Sequence, residues 1–461
     1  MTKISLPSSS KLLQPEFTFG VATSSFQIEG AASTREPSIW DTFCATPGRI
    51  KDGSDGLTAC DHVARWREDI DLIAQLGVQA YRFSIAWGRV INRDGSVNQA
   101  GLQFYVDLVN ALQARDIEAH VTLYHWDLPQ FLEDQGGWLN RDIVQHFARY
   151  AEVVVRALGN KVTSYATLNE PFCSAYLSYE AGIHAPGRRN RAEGRLAAHH
   201  LLLAHGTALP ILRQYAPKAQ HGIVLNFSPC HAASHDQADV DAALLAHQYH
   251  NLWYLQPILR GSYPDLVHPI SAADMPDIKP GDMDMIAQPI DFLGVNYYTR
   301  TVFKASQRKG LPWFSDVPPT QQPLTTMGWE IYPDGLVEIL TDLNTTFGEL
   351  PPIYITENGA AFADELVQEN GEMRVHDSAR IAYYQSHLRA VHQCVEAGIN
   401  MQGYFAWSLL DNFEWAEGYS KRFGIVHVDF ATQVRTLKDS ARALQHFWLQ
   451  RNAQLAAVEA L

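Results

Sequence analysis

A chain of 461 residues, 46% apolar and 19% charged, has an ordinary globular balance and enough length to bury a large core without staples. Its formal charge of −14 argues against an extended nucleic-acid surface, which would need clustered Lys and Arg; only short clusters such as Arg188-Arg189-Asn190-Arg191 occur. No stretch approaches the roughly 20 apolar residues of a membrane span.

Along the chain, short runs rich in β-branched, aromatic and small residues alternate with longer helical patterns. The runs are Phe17–Ala22, Ala80–Ile85, Ala119–Tyr124, Ser164–Leu168, Gly222–Asn226, Phe292–Asn296, Ile353–Thr356 and Gln402–Ala406. Such runs suit strands buried on both faces of a parallel sheet. The first helix, Asp61–Leu76, carries Val63, Trp66, Ile70, Ile73 and Leu76 at helical spacing. Leu102–Ala114, Ile143–Leu158, Ala192–Tyr215, Val240–Ile258, Pro333–Thr346 and Ser378–Ala397 follow the same pattern. Strand and helix alternating eight times predict a (β/α)₈ barrel formed by one domain over residues 1–461. A doubly wound open sheet would give a comparable alternation. The long insert from Asn296 to Pro352 marks an elaborate loop.

In a barrel of this kind the active site lies at the C-terminal strand ends. The residues there are Gln27 and Glu29, then Arg82 with Trp87 beyond, then His125-Trp126-Asp127. They continue with Asn169-Glu170, Asn226, Asn296 and Tyr298, Glu357-Asn358, and Trp407. Hydrogen-bonding groups and aromatic faces at one rim suit a sugar, whose hydroxyls need donors and acceptors and whose C–H face stacks on Trp. Two carboxylates stand out, Glu170 in Thr167-Leu168-Asn169-Glu170-Pro171 and Glu357 in Ile355-Thr356-Glu357-Asn358-Gly359. Glycoside hydrolysis needs such a pair, one to protonate the leaving oxygen and one to attack or to activate water. An arbitrary Glu is more often a solvated charge; these two sit at strand ends among Asn, His, Trp and Arg.

The segments TLNEP (167–171) and ITENG (355–359) resemble the two catalytic signatures of glycoside hydrolase family 1. FTFGVATSSFQIEGA (17–31), YRFSIAW (81–87), TLYHWDLPQFL (122–132), GIHAPGRR (182–189), FLGVNYYTR (292–300), YFAWSLLDNFEW (404–415) and RFGIVHVDF (422–430) extend the likeness in the family's order, over about residues 15 to 450. The resemblance implies a (β/α)₈ barrel that hydrolyses β-glucosides and short β-linked oligosaccharides with retention, without metal or cofactor. By motif position Glu170 matches the acid/base and Glu357 the nucleophile, with Arg82 and Tyr298 as partners of the nucleophile. Gln27, His125, Asn169, Glu414 and Trp415 match the residues that hold the sugar's hydroxyls, and Trp407 the platform on which it stacks. Asn296, Phe423 and Trp329 complete the expected binding set, Trp329 as an aglycone wall. Leu168 stands where Phe is common. Arg82, a permanent cation, would keep Glu357 ionised, while the charge of Glu357 would favour the protonated form of Glu170 until the glycosyl ester forms.

The cluster His199, His200 and His205 lies in an apolar helical stretch and reads as packed or surface histidine rather than a metal site. Asp61-His62 and the acidic stretch Asp274–Asp284 read as solvated loop or cap residues, and Trp138 and Trp313 as core. The five cysteines, Cys44, Cys60, Cys173, Cys230 and Cys394, form no CxxC pair, and the opening MTKISLPSSSKLL lacks the apolar run of a signal peptide. A cytoplasmic protein is expected, with small β-glycosides as its partners and no feature that sets an oligomeric state. Two other readings remain at this point. A 6-phospho-β-glucosidase would need a phosphate site near residues 414–423, where NFEWAEGYSKRFG resembles the unphosphorylated type and Lys421 alone does not make such a site. A non-catalytic sugar-binding relative would lack one or both glutamates. Within the family, the sugar-facing residues accept glucose, galactose, fucose or mannose.

Overall fold

The eight expected strands all form in the computed structural model, which describes residues 3–320 and 322–459. They are β1 (Thr18–Ala22), β2 (Ala80–Ser84), β3 (Glu118–Tyr124), β4 (Ser164–Asn169), β5 (Gln220–Asn226), β6 (Phe292–Asn296), β7 (Ile353–Asn358) and β8 (Met401–Trp407). Each pairs in parallel with its sequence neighbours, and β1 pairs with β8, so the sheet closes into a barrel rather than the open alternative. Closure leaves no sheet edge to satisfy.

Strand periodicity sorts the side chains between two cores. Ala22, Ala80, Ala166, Val224, Phe292, Tyr354, Phe405 and Trp407 pack together as the barrel's filling. Val21, Tyr81, Val121, Tyr165, Ile223, Leu293, Ile355 and Tyr404 pack outward with the helices. The helices cover that outer layer: α1 (His62–Leu76), α2 (Gln99–Gln113), α3 (Ile143–Leu158), α4 (Arg191–Tyr215), α5 (Gln237–His247), α6 (Trp253–Arg260), α7 (Asp334–Phe347), α8 (Ser378–Glu396) and α9 (Asp439–Glu459). Among the described residues no helix is long and apolar enough to cross a membrane.

Three expectations change. The stretch Val240–Ile258 is not one helix: a π-helical turn at Gln248–Leu252 separates α5 from α6. Within that turn Asn251 is tied to the carbonyl of Ser228 (2.9 Å) and Tyr249 to Glu180 (2.7 Å), contacts that aim its side chains at neighbouring segments. His62 is not solvated; it is buried against Asp69, 2.8 Å away. Asp282 is likewise buried, paired with Arg141 and with His199 at 2.9 Å. A helix start and an acidic loop look exposed locally, but partners of opposite character, Asp69 for His62 and the distant Arg141 and His199 for Asp282, allow their burial. The remaining histidines of the cluster pack as expected, His200 on the carbonyl of Trp138 (2.8 Å) and His205 on Thr167 (2.6 Å).

Candidate active site

Both strands that end in a candidate carboxylate lose their regular register near the end: β4 against β5 between Ala166 and Asn169, β7 against β6 between Ile355 and Glu357. Such irregularities at a barrel rim re-aim side chains. At β4 the chain leaves through Glu170 itself, with φ of 45°; Trp126 (76°) and Trp415 (49°) share this left-handed conformation. Non-glycine residues held there store about 1–3 kcal/mol each and cluster at functional sites. Beyond Glu357, a Cβ on Gly359 would lie 1.7 Å from the carbonyl oxygen of Trp407, so only glycine lets the two strand ends approach.

Glu357 is buried and accepts two charge-assisted hydrogen bonds, from Arg82 Nη1 (2.7 Å) to Oε1 and from the Tyr298 hydroxyl (2.5 Å) to Oε2. Arg82 also donates to Asn169 Oδ1 (2.7 Å), which accepts from Asn296 Nδ2 (3.1 Å) as well. Asn296 is oriented in turn by Thr356, whose hydroxyl donates to its Oδ1 (2.7 Å), and it reaches Glu170 Oε1 (2.5 Å). The second oxygen of Glu170 accepts from the thiol of Cys173 (3.0 Å). One hydrogen-bonded chain therefore links the two carboxylates from β2, β4, β6 and β7.

The environments of the two differ. Glu357 faces a permanent cation. Glu170 is buried away from any direct cation, and burial, followed by the charge of Glu357, pushes its carboxyl up to about 7. An acid raised to about 7 is still largely protonated below neutral pH and loses its proton through it, so kcat/KM should fall as pH rises through about 7. The Cys173 thiol favours the ionised form of Glu170. Cys173→Ala should therefore move the alkaline limb of the pH–kcat/KM profile upward by about 0.7 of a pH unit, since a weak donor to a carboxylate contributes on the order of 1 kcal/mol. A limb that stays put or moves down would show that the thiol does not tune Glu170.

Around the carboxylates lie donors and rings. His125 is neutral, held well below its ordinary range by burial and by Arg82; its Nε2 accepts from Asn169 Nδ2 (3.2 Å), and Nδ1 has no protein partner among the described residues. Gln27 bridges to Asn412 Oδ1 (3.0 Å) and Glu414 Oε2 (3.3 Å). Burial and the nearby Glu357 raise the Glu414 carboxyl to about 8. The rings of Trp407 and Trp415 lie nearly parallel to that of His125, at 6.0 and 5.9 Å. Trp329 and Phe423 flank Tyr298 at 5.5 and 6.1 Å.

All the expected binding residues thus gather at one rim, but three of their neighbours do not. Glu29 turns away to pair with Arg89 (2.8 Å) and the hydroxyl of Tyr105 (2.7 Å). Asp127 bonds Ser25 (2.9 Å), and Trp87 stacks on Tyr150 in the outer core at 5.0 Å. One member escaped the reading of strand ends, Cys173, which lies in the π-helical segment after β4. Trp126, read at the end of β3, holds the carbonyl of Asn169 through its indole N–H (2.9 Å). The three-residue offset of Cys173 from Glu170 was the only local signal.

A family model described as glycosyl hydrolase family 1 matches residues 9–453. The chain belongs to glycosyl hydrolase family 1. Among family 1 relatives, it is 45% identical to a β-glucosidase of Agrobacterium sp., covering 93% of each chain. β-Glucosidase A of Thermotoga maritima is 45% identical, with 92% of this chain and 95% of the relative covered. A solved family 1 β-glucosidase from T. maritima superposes with a TM-score of 0.91 at 44% identity, covering 96% of this chain and 99% of the other. The same enzyme solved in complex with glucoimidazole gives 0.90. The closed barrel and the pair of carboxylates at β4 and β7 are this family 1 chain's own realisation of that fold.

Proposed function

We propose that the protein is a retaining β-glucosidase, releasing terminal glucose from β-glucosides and short β-linked oligosaccharides such as cellobiose. The observation that carries this reading is the division of environment between two buried carboxylates. Glu357, held by Arg82 and Tyr298, is the nucleophile; Glu170, favoured in its acid form, protonates the leaving oxygen. Once the glycosyl ester has consumed the charge on Glu357, Glu170 becomes the stronger acid and its conjugate base takes a proton from water. Gln27, His125, Asn169, Glu414 and Trp415 bind the sugar's hydroxyls, Trp407 lies under its ring, and Trp329 lines the aglycone side. The β-glucosidase relatives and the glucoimidazole complex support the same substrate. Residues 1–461 act as one domain, and five unpaired cysteines suit a reducing cytoplasm.

Proton NMR of nitrophenyl β-glucoside hydrolysis should show the β-anomer of glucose first; the α-anomer first would mean inversion and a different mechanism. The 6-phosphate of the same substrate should react slower by several orders of magnitude, since Lys421 spends its ammonium on the carbonyl of Thr326 (2.6 Å) and Glu414 occupies the sugar's 6-position side. Because the Glu414 carboxyl ionises only near pH 8, charge repulsion adds to the discrimination chiefly above that pH, and the rate ratio should widen there. Equal rates on the two substrates would turn the reading to a phospho-glycosidase.

A further inference from the structure

Asn358, next to the nucleophile, is fully buried and lies in the layer between β7, β8 and α8. Both of its N–H bonds are used, one on the carbonyl of Tyr297 (2.7 Å) and one on the Tyr383 hydroxyl (3.0 Å). Its carbonyl oxygen accepts from Tyr404 (2.6 Å). Tyr383 passes its own proton to the carbonyl of Tyr298 (3.3 Å), and the backbone N–H of Tyr297 donates to the carbonyl of Glu357 (3.0 Å). Residues 297–300 have no regular secondary structure. Nothing within that segment sets the direction of the Tyr298 side chain, yet its hydroxyl meets Glu357 Oε2 at 2.5 Å. The two carbonyls on either side of Tyr298 Cα are the groups that Asn358 and Tyr383 hold.

We infer that Asn358 is a positioning residue: with Tyr383 it locks the Tyr297–Tyr298 segment so that the Tyr298 hydroxyl stays on the nucleophile, and it acts on the reaction through Tyr298. This rests on the proposed role of Glu357. When the glycosyl ester breaks, the bond from the sugar's anomeric carbon to Glu357 returns its electron pair to the carboxylate. The hydroxyl of Tyr298 then meets a re-formed charge, and a displaced hydroxyl cannot stabilise it. Asn358 hydrogen-bonds both the segment, at the carbonyl of Tyr297, and its second anchor, the Tyr383 hydroxyl.

The test is a mutant cycle, with kcat and KM measured on nitrophenyl β-glucoside. Tyr298→Phe should lower kcat about tenfold or more, as loss of a charge-assisted hydrogen bond does. Asn358→Ala should lower it comparably, and Tyr383→Phe about threefold, with smaller changes in KM. In the Tyr298→Phe background each second substitution should cost less than about twofold, because the bond that it protects is already gone. A merely structural role would instead multiply the losses in both backgrounds, and that result would overturn the inference. Tyr383→Phe removes one hydroxyl and no packing volume, so it decides the matter if Asn358→Ala does not fold. An unmutated protein inactive on the glucoside, or an active Glu357→Ala, would fail the proposed function itself; multiplying losses in an active enzyme fail only the inference.

Discussion

Replacing Glu357 by alanine should leave less than about one ten-thousandth of the wild-type kcat on every β-glucoside, whatever its leaving group. Without the carboxylate no glycosyl ester forms, and protonation by Glu170 cannot compensate. The substitution also leaves the guanidinium of Arg82 buried with only Asn169 Oδ1 and the carbonyl of Thr356 to face. Breaking such a pair costs on the order of 3–5 kcal/mol of stability, so a thermal melt must accompany the assay. Glu357→Gln, which keeps the shape and an acceptor for Arg82, separates the two effects: it should melt closer to wild type and be equally inactive. Azide admitted to Glu357→Ala would occupy the missing carboxylate's space and attack from the α face. A β-glucosyl azide from that variant would exchange the roles of the two glutamates.

Glu170→Ala should lose activity in a way that depends on the leaving group. Alkyl glucosides and cellobiose need a proton on the departing oxygen, and their kcat/KM should fall by about 10²–10⁴-fold. A nitrophenolate departs with little help, so the first step survives in part, the glycosyl ester accumulates, and KM for the aryl glucoside drops as turnover slows. Water then lacks its base. Azide needs none, so it should restore turnover and yield the β-glucosyl azide through double displacement. Uniform loss across leaving groups with no azide product would remove Glu170 from the acid/base role. The carboxyl's position supports the split: it is fixed by Asn296 and Cys173 rather than by a cation, so its removal leaves no buried charge behind.

The eight strands were legible in the chain because that information is local, whereas the alternation alone fitted an open sheet as well as a barrel. A strand buried on both faces needs apolar or small residues throughout, and runs such as Phe292–Asn296 and Gly222–Asn226 satisfy that wherever the rest of the chain goes. Glu170 and Glu357 were legible as strand-end residues within motifs. The sequence by itself therefore determined the eight strands, their order and the identity of the two carboxylates. Only the tertiary structure decided what each carboxylate experiences. Glu29 and Glu170 both follow a barrel strand, yet Glu29 meets Arg89 and Tyr105 while Glu170 meets an amide and a thiol. Trp87 follows β2 and Trp407 closes β8, both at the same rim, yet one stacks on Tyr150 outside the barrel and the other fills its mouth. Asn358 shows no feature in its own segment that sets it apart from a loop amide; its role depends on Tyr297, Tyr383 and Tyr404 arriving from three other elements. Charge, burial and hydrogen-bond direction are set by side chains tens to hundreds of residues away, and those meet only when the barrel closes.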